Sequence, residues 1–409
     1  MAPPGQLRRD EQLAQLSTRR FDLVVVGGGI SGAWVALDAA SRGLDVALLE
    51  KDDFASGTSS KSSKMIHGGL RYIEQRNIDL VRHSLHERQR LQANAPHLVQ
   101  RLPFLFPVLS EEGVFDRRMA RAFEALLWTY DALGGWRIGR LHQKLSAAEV
   151  LSHCPTLRSE HLVGGFMYYD ARADDARLTV AVVRTAAAFG AVVLNGAEVL
   201  AVHDAPGRRD VEVELRSGED VLRVGAGAVV AAGGVWNERI AGSLAAGRPR
   251  RIRPAKGVHV FLPWRLLRND CSVTVVVPGR ARRGTVTRWG DTVYLGTTDT
   301  DYEGPLDEVH CTREELELLL GGINRAFDVS IGAEDVVGSC AGLRPLIGER
   351  DGTTSELSRN HEISRHGRIF SLTGGKLTTG RYMGEQTVDA VTRFLGRSAP
   401  CRTARLGLV

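Results

Sequence analysis

Apolar residues fall along this chain in two patterns, continuous runs closed by glycines and strictly alternating stretches, and together they predict most of its elements. Phe21-Asp-Leu-Val-Val-Val26 is a continuous run, as expected of a strand covered on both faces. It enters Gly27-Gly-Gly-Ile-Ser-Gly32 and then a helical stretch, Ala33 to Arg42, that stops at Gly43. Leu44 to Glu50 supplies a second parallel strand. Helical spacing returns over Ile78 to Ala95, from Asp174 or Asp175 as cap to Phe189, and over Tyr382 to Leu395. Arg101 to Leu109 reads as a strand interrupted by prolines, and Val211 to Leu215 with Val221 to Val224 as a hairpin around Ser217-Gly218. Gly225 to Trp236 is a buried strand ending in glycines, whereas Val273 to Val277 and Thr292 to Gly296 alternate, as in an antiparallel sheet.

Strand, glycine turn, helix and strand in that order make a dinucleotide site. Gly27 permits the tight turn, Gly29 lets backbone amides reach a pyrophosphate, and Gly32 lets the helix pack against the strand. Glu50, 23 residues after Gly27, stands where an acid accepts hydrogen bonds from an adenosine ribose and disfavours a 2′-phosphate. The hydroxyl-rich segment Thr58 to Ile66 has neither helical nor strand periodicity, so it reads as a loop around a polar, anionic ligand, and His67-Gly68-Gly69 lets backbone approach a flat one. These features point to FAD. The fold expected is α/β, a Rossmann-like FAD-binding domain with an interleaved antiparallel-sheet (α+β) substrate domain. Its discontinuous pieces are 20–95, 165–240 and 335–396 for the cofactor and 96–164 with 241–334 for the substrate, with tails at 1–19 and 397–409.

With 409 residues, 43% hydrophobic and 25% charged, the chain can bury a large core. Cys154, Cys271, Cys311, Cys340 and Cys401 are dispersed without CxxC spacing, against a disulfide framework or a metal site and in keeping with a reducing compartment. The N-terminus lacks an apolar signal region, and no run reaches the roughly 18 apolar residues of a membrane span. The expectation is a cytoplasmic protein, or one peripheral at the inner face of the cell membrane. A net charge of +5 without an aromatic-interleaved basic block argues against nucleic acid. Phe115, Met119, Phe123, Leu126 and Tyr130 form a helical stripe near Trp128 and Trp136. Such a stripe either lies in a membrane interface, where quinone is available, or packs on its own domain.

Gly27 to Gly32, Thr58-Ser-Ser-Lys-Ser-Ser-Lys-Met-Ile-His-Gly-Gly-Leu-Arg-Tyr72, Leu295-Gly-Thr-Thr-Asp299, Gly342-Leu-Arg-Pro-Leu346 and Gly374-Gly-Lys-Leu-Thr-Thr379 occur in this order. In these motifs the chain resembles the FAD-dependent glycerol-3-phosphate dehydrogenase family over roughly residues 20 to 395. The resemblance implies non-covalent FAD, oxidation of sn-glycerol 3-phosphate to dihydroxyacetone phosphate, and transfer of electrons to a quinone or another acceptor. By the resemblance, bacterial relatives usually continue into a C-terminal helical domain, which is expected to be missing here, and often carry tyrosine where Gly380 stands, which predicts a different pocket edge.

Hydride transfer to a flavin requires a base for the hydroxyl proton and a grip on the substrate phosphate. Guanidinium groups suit that grip. Arg344 is the first candidate and Arg359 the second, with Arg71, Tyr72 and Lys376 lining the same pocket. Lys376 also stands where a cation would stabilise a reduced flavin. His259 is the candidate proton acceptor and His67 its alternative. The residues assigned to the cofactor are Gly27, Gly29, Ser31, Gly32, Glu50, Ser59, Ser60, Ser63, His67, Gly68, Gly69, Leu70, Val199, Gly233, Gly375, Lys376, Leu377 and Thr378. Structural alternatives stand beside these: Arg344 paired with Glu349, and His259 as a satisfied histidine of an alternating strand. Two other functions fit the same fold, an amino- or hydroxy-acid oxidase and a non-catalytic flavoprotein subunit.

Overall fold

The computed structural model describes residues 7–74, 76–109, 117–204, 209–244, 252–276, 283–348 and 360–409. Among these residues an eight-stranded sheet is built around Phe21–Val26, whose six residues are all buried. Val46–Leu49 and Asp220–Ala231 flank it in parallel, and Val192–Leu194 and Ile369–Gly374 continue the parallel set outward. Parallel strands need covered faces. Helices Ile30–Ser41, Asp175–Ala188 and Gly380–Phe394 cover one face, with Leu23, Val25, Trp34, Val182, Val230 and Met383 in one core, and on the other face Val24, Val26 and Leu49 pack with Leu16, Val202, Val213 and Leu215. Asp174, rather than Asp175, caps its helix by accepting from the Arg177 amide at 3.0 Å.

Among the described residues the second sheet has ten strands and is almost wholly antiparallel, the exception being a short parallel pairing of Ser272 and Val273 with Phe104 and Leu105. Ile252–Pro263 pairs along its length with Gly338–Ile347 and over part of it with Thr292–Gly296. Gln100–Leu109 pairs with Leu162–Arg172 in steady register as far as Val108, and the register shifts between Val108 and Leu109, just past Pro107. Pro103 and Pro107 share parity, so both missing amides fall on one edge of that strand, and the ladder passes Pro103 without interruption. Met65–Ile66, residues 165–172 and Gly338–Ile347, expected in the cofactor pieces, belong to the second sheet. Which sheet a strand joins depends on its distant partners, and local alternation carries no information about them.

The segments expected to be tails are packed. Arg9–Thr18 is a helix whose Gln12 side chain accepts from the Val193 amide at 2.8 Å, occupying the exposed edge of the parallel sheet. At the other end Arg397 forms a two-point pair with Asp22 at 2.6 and 2.7 Å, the Leu408 amide donates to Asn94 at 2.8 Å, and Leu408 is buried. Gly380 also lies elsewhere than expected. A Cβ there would come 2.8 Å from the Trp34 ring, and one on Gly384 2.8 Å from the Trp34 backbone. Gly380 thus sets a helix-to-helix approach and is not a pocket edge.

Candidate active site

A cleft of about 400 Å³ opens at the carboxyl ends of the parallel strands, where ligands bind in doubly wound sheets. The glycine turn forms its floor. A Cβ on Gly27 would lie 2.7 Å from the Ala232 carbonyl oxygen, and one on Gly32 only 1.9 Å from the Gly27 oxygen. Helix Ile30–Ser41 starts at Gly29, and Gly29, Ile30 and Ser31 at its N-terminus line this cleft, the Ile30 amide donating to the Ser59 hydroxyl. A helix N-terminus at this place suits a pyrophosphate. Gly27, Gly29, Ser31 and Glu50 line the cleft on one side, with Val199 and Gly233 nearby and Gly375, Lys376 and Leu377 at the far end. Glu50 accepts from the Gly28 amide at 2.6 Å and the Asp52 amide at 2.9 Å. Burial raises its pKa while those bonds oppose the rise. Each carboxylate oxygen keeps a second lone pair for a ribose hydroxyl. The residues present fit FAD.

The serine loop is held at several points. Ser59 lines the cleft and accepts from the Ile30 amide at 2.9 Å, while Ser60 closes the turn toward the Gly57 carbonyl and does not line it. Asp175, released from capping, accepts from Ser62 at 2.7 Å and Lys64 at 2.5 Å. Thr378 is buried and accepts from the His67 amide at 3.1 Å. Gly68 is also buried, its amide directed at the Tyr130 hydroxyl at 3.0 Å. Tyr130 in turn donates to Asp170, and Arg88 neutralises Asp170 at 2.5 Å. Gly69 has φ +81°, and a Cβ there would strike the Tyr72 ring at 2.3 Å.

A second cavity of about 360 Å³ lies beside the first. Ser63, His67, Gly69 and Leu70, expected at the cofactor, line this one instead, together with Arg71, Tyr72 and Arg344. The two spaces meet. Ser62 and Pro345 border the cleft where their chain neighbours Ser63 and Arg344 border the cavity, and the Lys376 ammonium on the cleft side lies 4.7 Å from the centre of the Tyr72 ring. Arg344 donates to the Thr297 hydroxyl at 2.7 Å and the Thr298 carbonyl at 3.1 Å, and pairs with Asp299 at 3.3 Å. Its guanidinium is therefore fixed in orientation by the Leu295 to Asp299 segment. Arg359 and Glu349 lie outside the described residues.

Sequence reasoning missed Arg283, which lines the cavity, sits 4.9 Å from the centre of the Phe106 ring and faces Glu74 at 3.9 Å. No motif marks it, because it is one arginine on an ordinary alternating strand. Phe104, Phe106 and Tyr168, likewise unmarked on their strands, form an aromatic wall of the cavity with Phe123 of the helical stripe. Phe123 and Tyr130 are buried, which packs the Arg117–Ala132 helix on its own fold, while Trp128 and Trp136 are each 55% exposed. Phe115 is outside the described residues.

His259 lies one layer behind the cavity wall. Its Nε2 is 3.0 Å from the Ser63 hydroxyl, Nδ1 has no hydrogen-bond partner among the described residues, and the ring lies against Gly296. Burial, helped by Arg344 and Lys64, pushes its pKa down to about 3. The imidazole is neutral and does not line the cavity. From the ordinary value of 6.5 down to about 3 the unfolded chain thus holds one proton more than the folded one. The stability His259 contributes is complete above the upper value and is lost as pH falls, by about 1.4 kcal/mol per unit. His259→Gln is expected to lose less stability than the parent between neutrality and about pH 5 in denaturant titrations. Equal losses would assign the acid sensitivity to other groups.

The sequence matches the FAD dependent oxidoreductase family over residues 22–390. It is 40% identical to glycerol-3-phosphate dehydrogenase 2 of Mycobacterium bovis, covering 99% of this chain and 69% of that protein. It is 35% identical to the aerobic glycerol-3-phosphate dehydrogenase of Bacillus subtilis, covering 98% and 73%. Among solved structures, the FAD complex of glycerol-3-phosphate dehydrogenase from Bacillus halodurans superposes with a TM-score of 0.79 at 31% identity, covering 98% of this chain and 70% of that one. The chain belongs to the FAD-dependent oxidoreductase family, within the branch formed by the glycerol-3-phosphate dehydrogenases.

Proposed function

We propose that the chain oxidises sn-glycerol 3-phosphate to dihydroxyacetone phosphate, with substrate in the second cavity and FAD in the first cleft. The observation that carries this reading is the placement of Arg71, Arg283 and Arg344 around one cavity that joins the dinucleotide cleft. A carboxylate needs one such fork, whereas a phosphate dianion uses several. Bound in the cleft, FAD supplies the hydride acceptor.

The chain's own residues bind, orient and take up a proton. Arg344, fixed by Thr297 and Asp299, and Arg71 grip the phosphate, and Tyr72 bounds the carbinol end. Lys376 places a cation between the two spaces, and with FAD bound it would stabilise negative charge on the flavin. His67 lines the cavity and is assigned the hydroxyl proton, with His259 behind Ser63 as a positioning residue. The aromatic wall keeps water from the reacting carbon, and the electrons pass on to a quinone or another acceptor.

An anaerobic titration of the yellow protein tests this. Glycerol 3-phosphate is expected to bleach the oxidised flavin band at concentrations where glycerol leaves it unchanged. Bleaching by sarcosine or 2-hydroxyglutarate in its place would turn the assignment to an amino- or hydroxy-acid oxidase, and no bleaching by any of them would favour a non-catalytic flavoprotein.

A further inference from the structure

The dinucleotide cleft has a roof that the proposed chemistry does not use. Strands Val46–Leu49 and Asp220–Ala231 flank Phe21–Val26 on its two sides, so the segments that follow them emerge on either side of the glycine turn. Lys51 comes from one and Trp236 from the other, and the Lys51 ammonium lies 4.8 Å from the centre of the Trp236 ring. Both residues line the cleft. Asp307 holds them together from the second sheet's side, accepting from Lys51 Nζ at 2.8 Å and from Trp236 Nε1 at 2.9 Å, with Arg239 at 3.4 Å. Lys51 and its partners hold the Asp307 carboxyl below its ordinary pKa. The loop presenting Asp307 is tied internally, since the Tyr302 hydroxyl donates to the Pro305 carbonyl at 2.8 Å and lies 3.3 Å from that of Glu308. Gly57 closes a third side, where a Cβ would come 3.1 Å from the Trp236 ring.

The geometry points to a cofactor gate: the bridge formed by Lys51, Trp236 and Asp307 spans the cleft above the glycine turn and must open for FAD to enter or leave. This rests on the reading of the cleft as the FAD site. The Lys51 and Asp307 side chains are 37% and 49% exposed, and so exposed a pair adds little to fold stability. It does remain subject to screening, so added salt acts on FAD exchange through the gate.

The test is the rate of FAD release from the holoenzyme, followed as free-flavin fluorescence after dilution, at low and high NaCl. Release from the parent is expected to be slow and to quicken with salt. Asp307→Ala and Lys51→Met are each expected to release FAD about threefold to fivefold faster, the weight of one exposed ion pair, with most of the salt dependence gone. Parent-like rates and salt slopes in Asp307→Ala overturn the gate. So does fast release in Lys51→Met alone, which would mean that Lys51 grips the cofactor directly. A parent protein that retains no FAD at all would instead overturn the reading of the cleft.

Discussion

Arg344→Ala is expected to lower kcat/KM for glycerol 3-phosphate by about a thousandfold, or roughly 4 kcal/mol of transition-state binding, while leaving FAD content unchanged. The size follows from what Arg344 is. Its guanidinium is already oriented by Thr297, Thr298 and Asp299, so binding the phosphate spends little side-chain entropy. Arg344→Lys keeps the charge but loses the planar fork, and is expected to recover only about a tenth of the lost activity. The readouts are single-turnover flavin reduction for the reaction and absorbance for FAD content. If Arg344→Ala reduces its flavin as fast as the parent at low substrate, the phosphate is held elsewhere and the cavity assignment fails. Loss of FAD in the same variant would give Arg344 a structural role.

The parts of this fold that sequence makes legible are those in which a local pattern determines a local structure. The turn from Gly27 to Gly32 needs glycine because backbone oxygens stand within 2.7 Å of two would-be Cβ atoms, and strand, helix and Glu50 follow in register. The hairpin at Ser217 and Gly218 forms as read, with Gly218 at φ +64° and Ser217 opposite Asp220. What was not legible is non-local. The place of Gly338–Ile347 in the second sheet depends on Ile252–Pro263. Arg283 joins Arg71 and Arg344 only because distant strands converge, and the C-terminal residues cease to be a tail only because Asp22 and Asn94 receive them. His259 looked like a base by residue type. Its burial behind Ser63, which lowers its basicity, becomes visible only in three dimensions.

Glycine replacements separate two kinds of constraint in the cofactor turn, and Gly32→Ala is expected to have the larger effect. The new methyl would lie 1.9 Å from the Gly27 carbonyl oxygen. That atom belongs to the backbone of the turn itself, so relief requires moving either the helix or the turn that FAD uses. Overpacking against rigid backbone costs roughly 3 kcal/mol, over a hundredfold in FAD affinity. Gly29→Ala should be milder, since the nearest atom to its Cβ is the Ser59 hydroxyl at 3.1 Å, which can rotate away at the expense of its bond to the Ile30 amide. Gly43→Ala meets nothing within 4 Å but sits at φ +87°, so it should cost about 1 kcal/mol of stability and leave FAD binding intact. Flavin titration and denaturant unfolding of the three variants would order them differently: affinity follows the distance to backbone, stability alone responds at Gly43. An affinity for FAD in Gly32→Ala equal to that in Gly43→Ala would show that the turn tolerates a shift of the helix. The close approach of helix to strand would then serve packing and not the pyrophosphate.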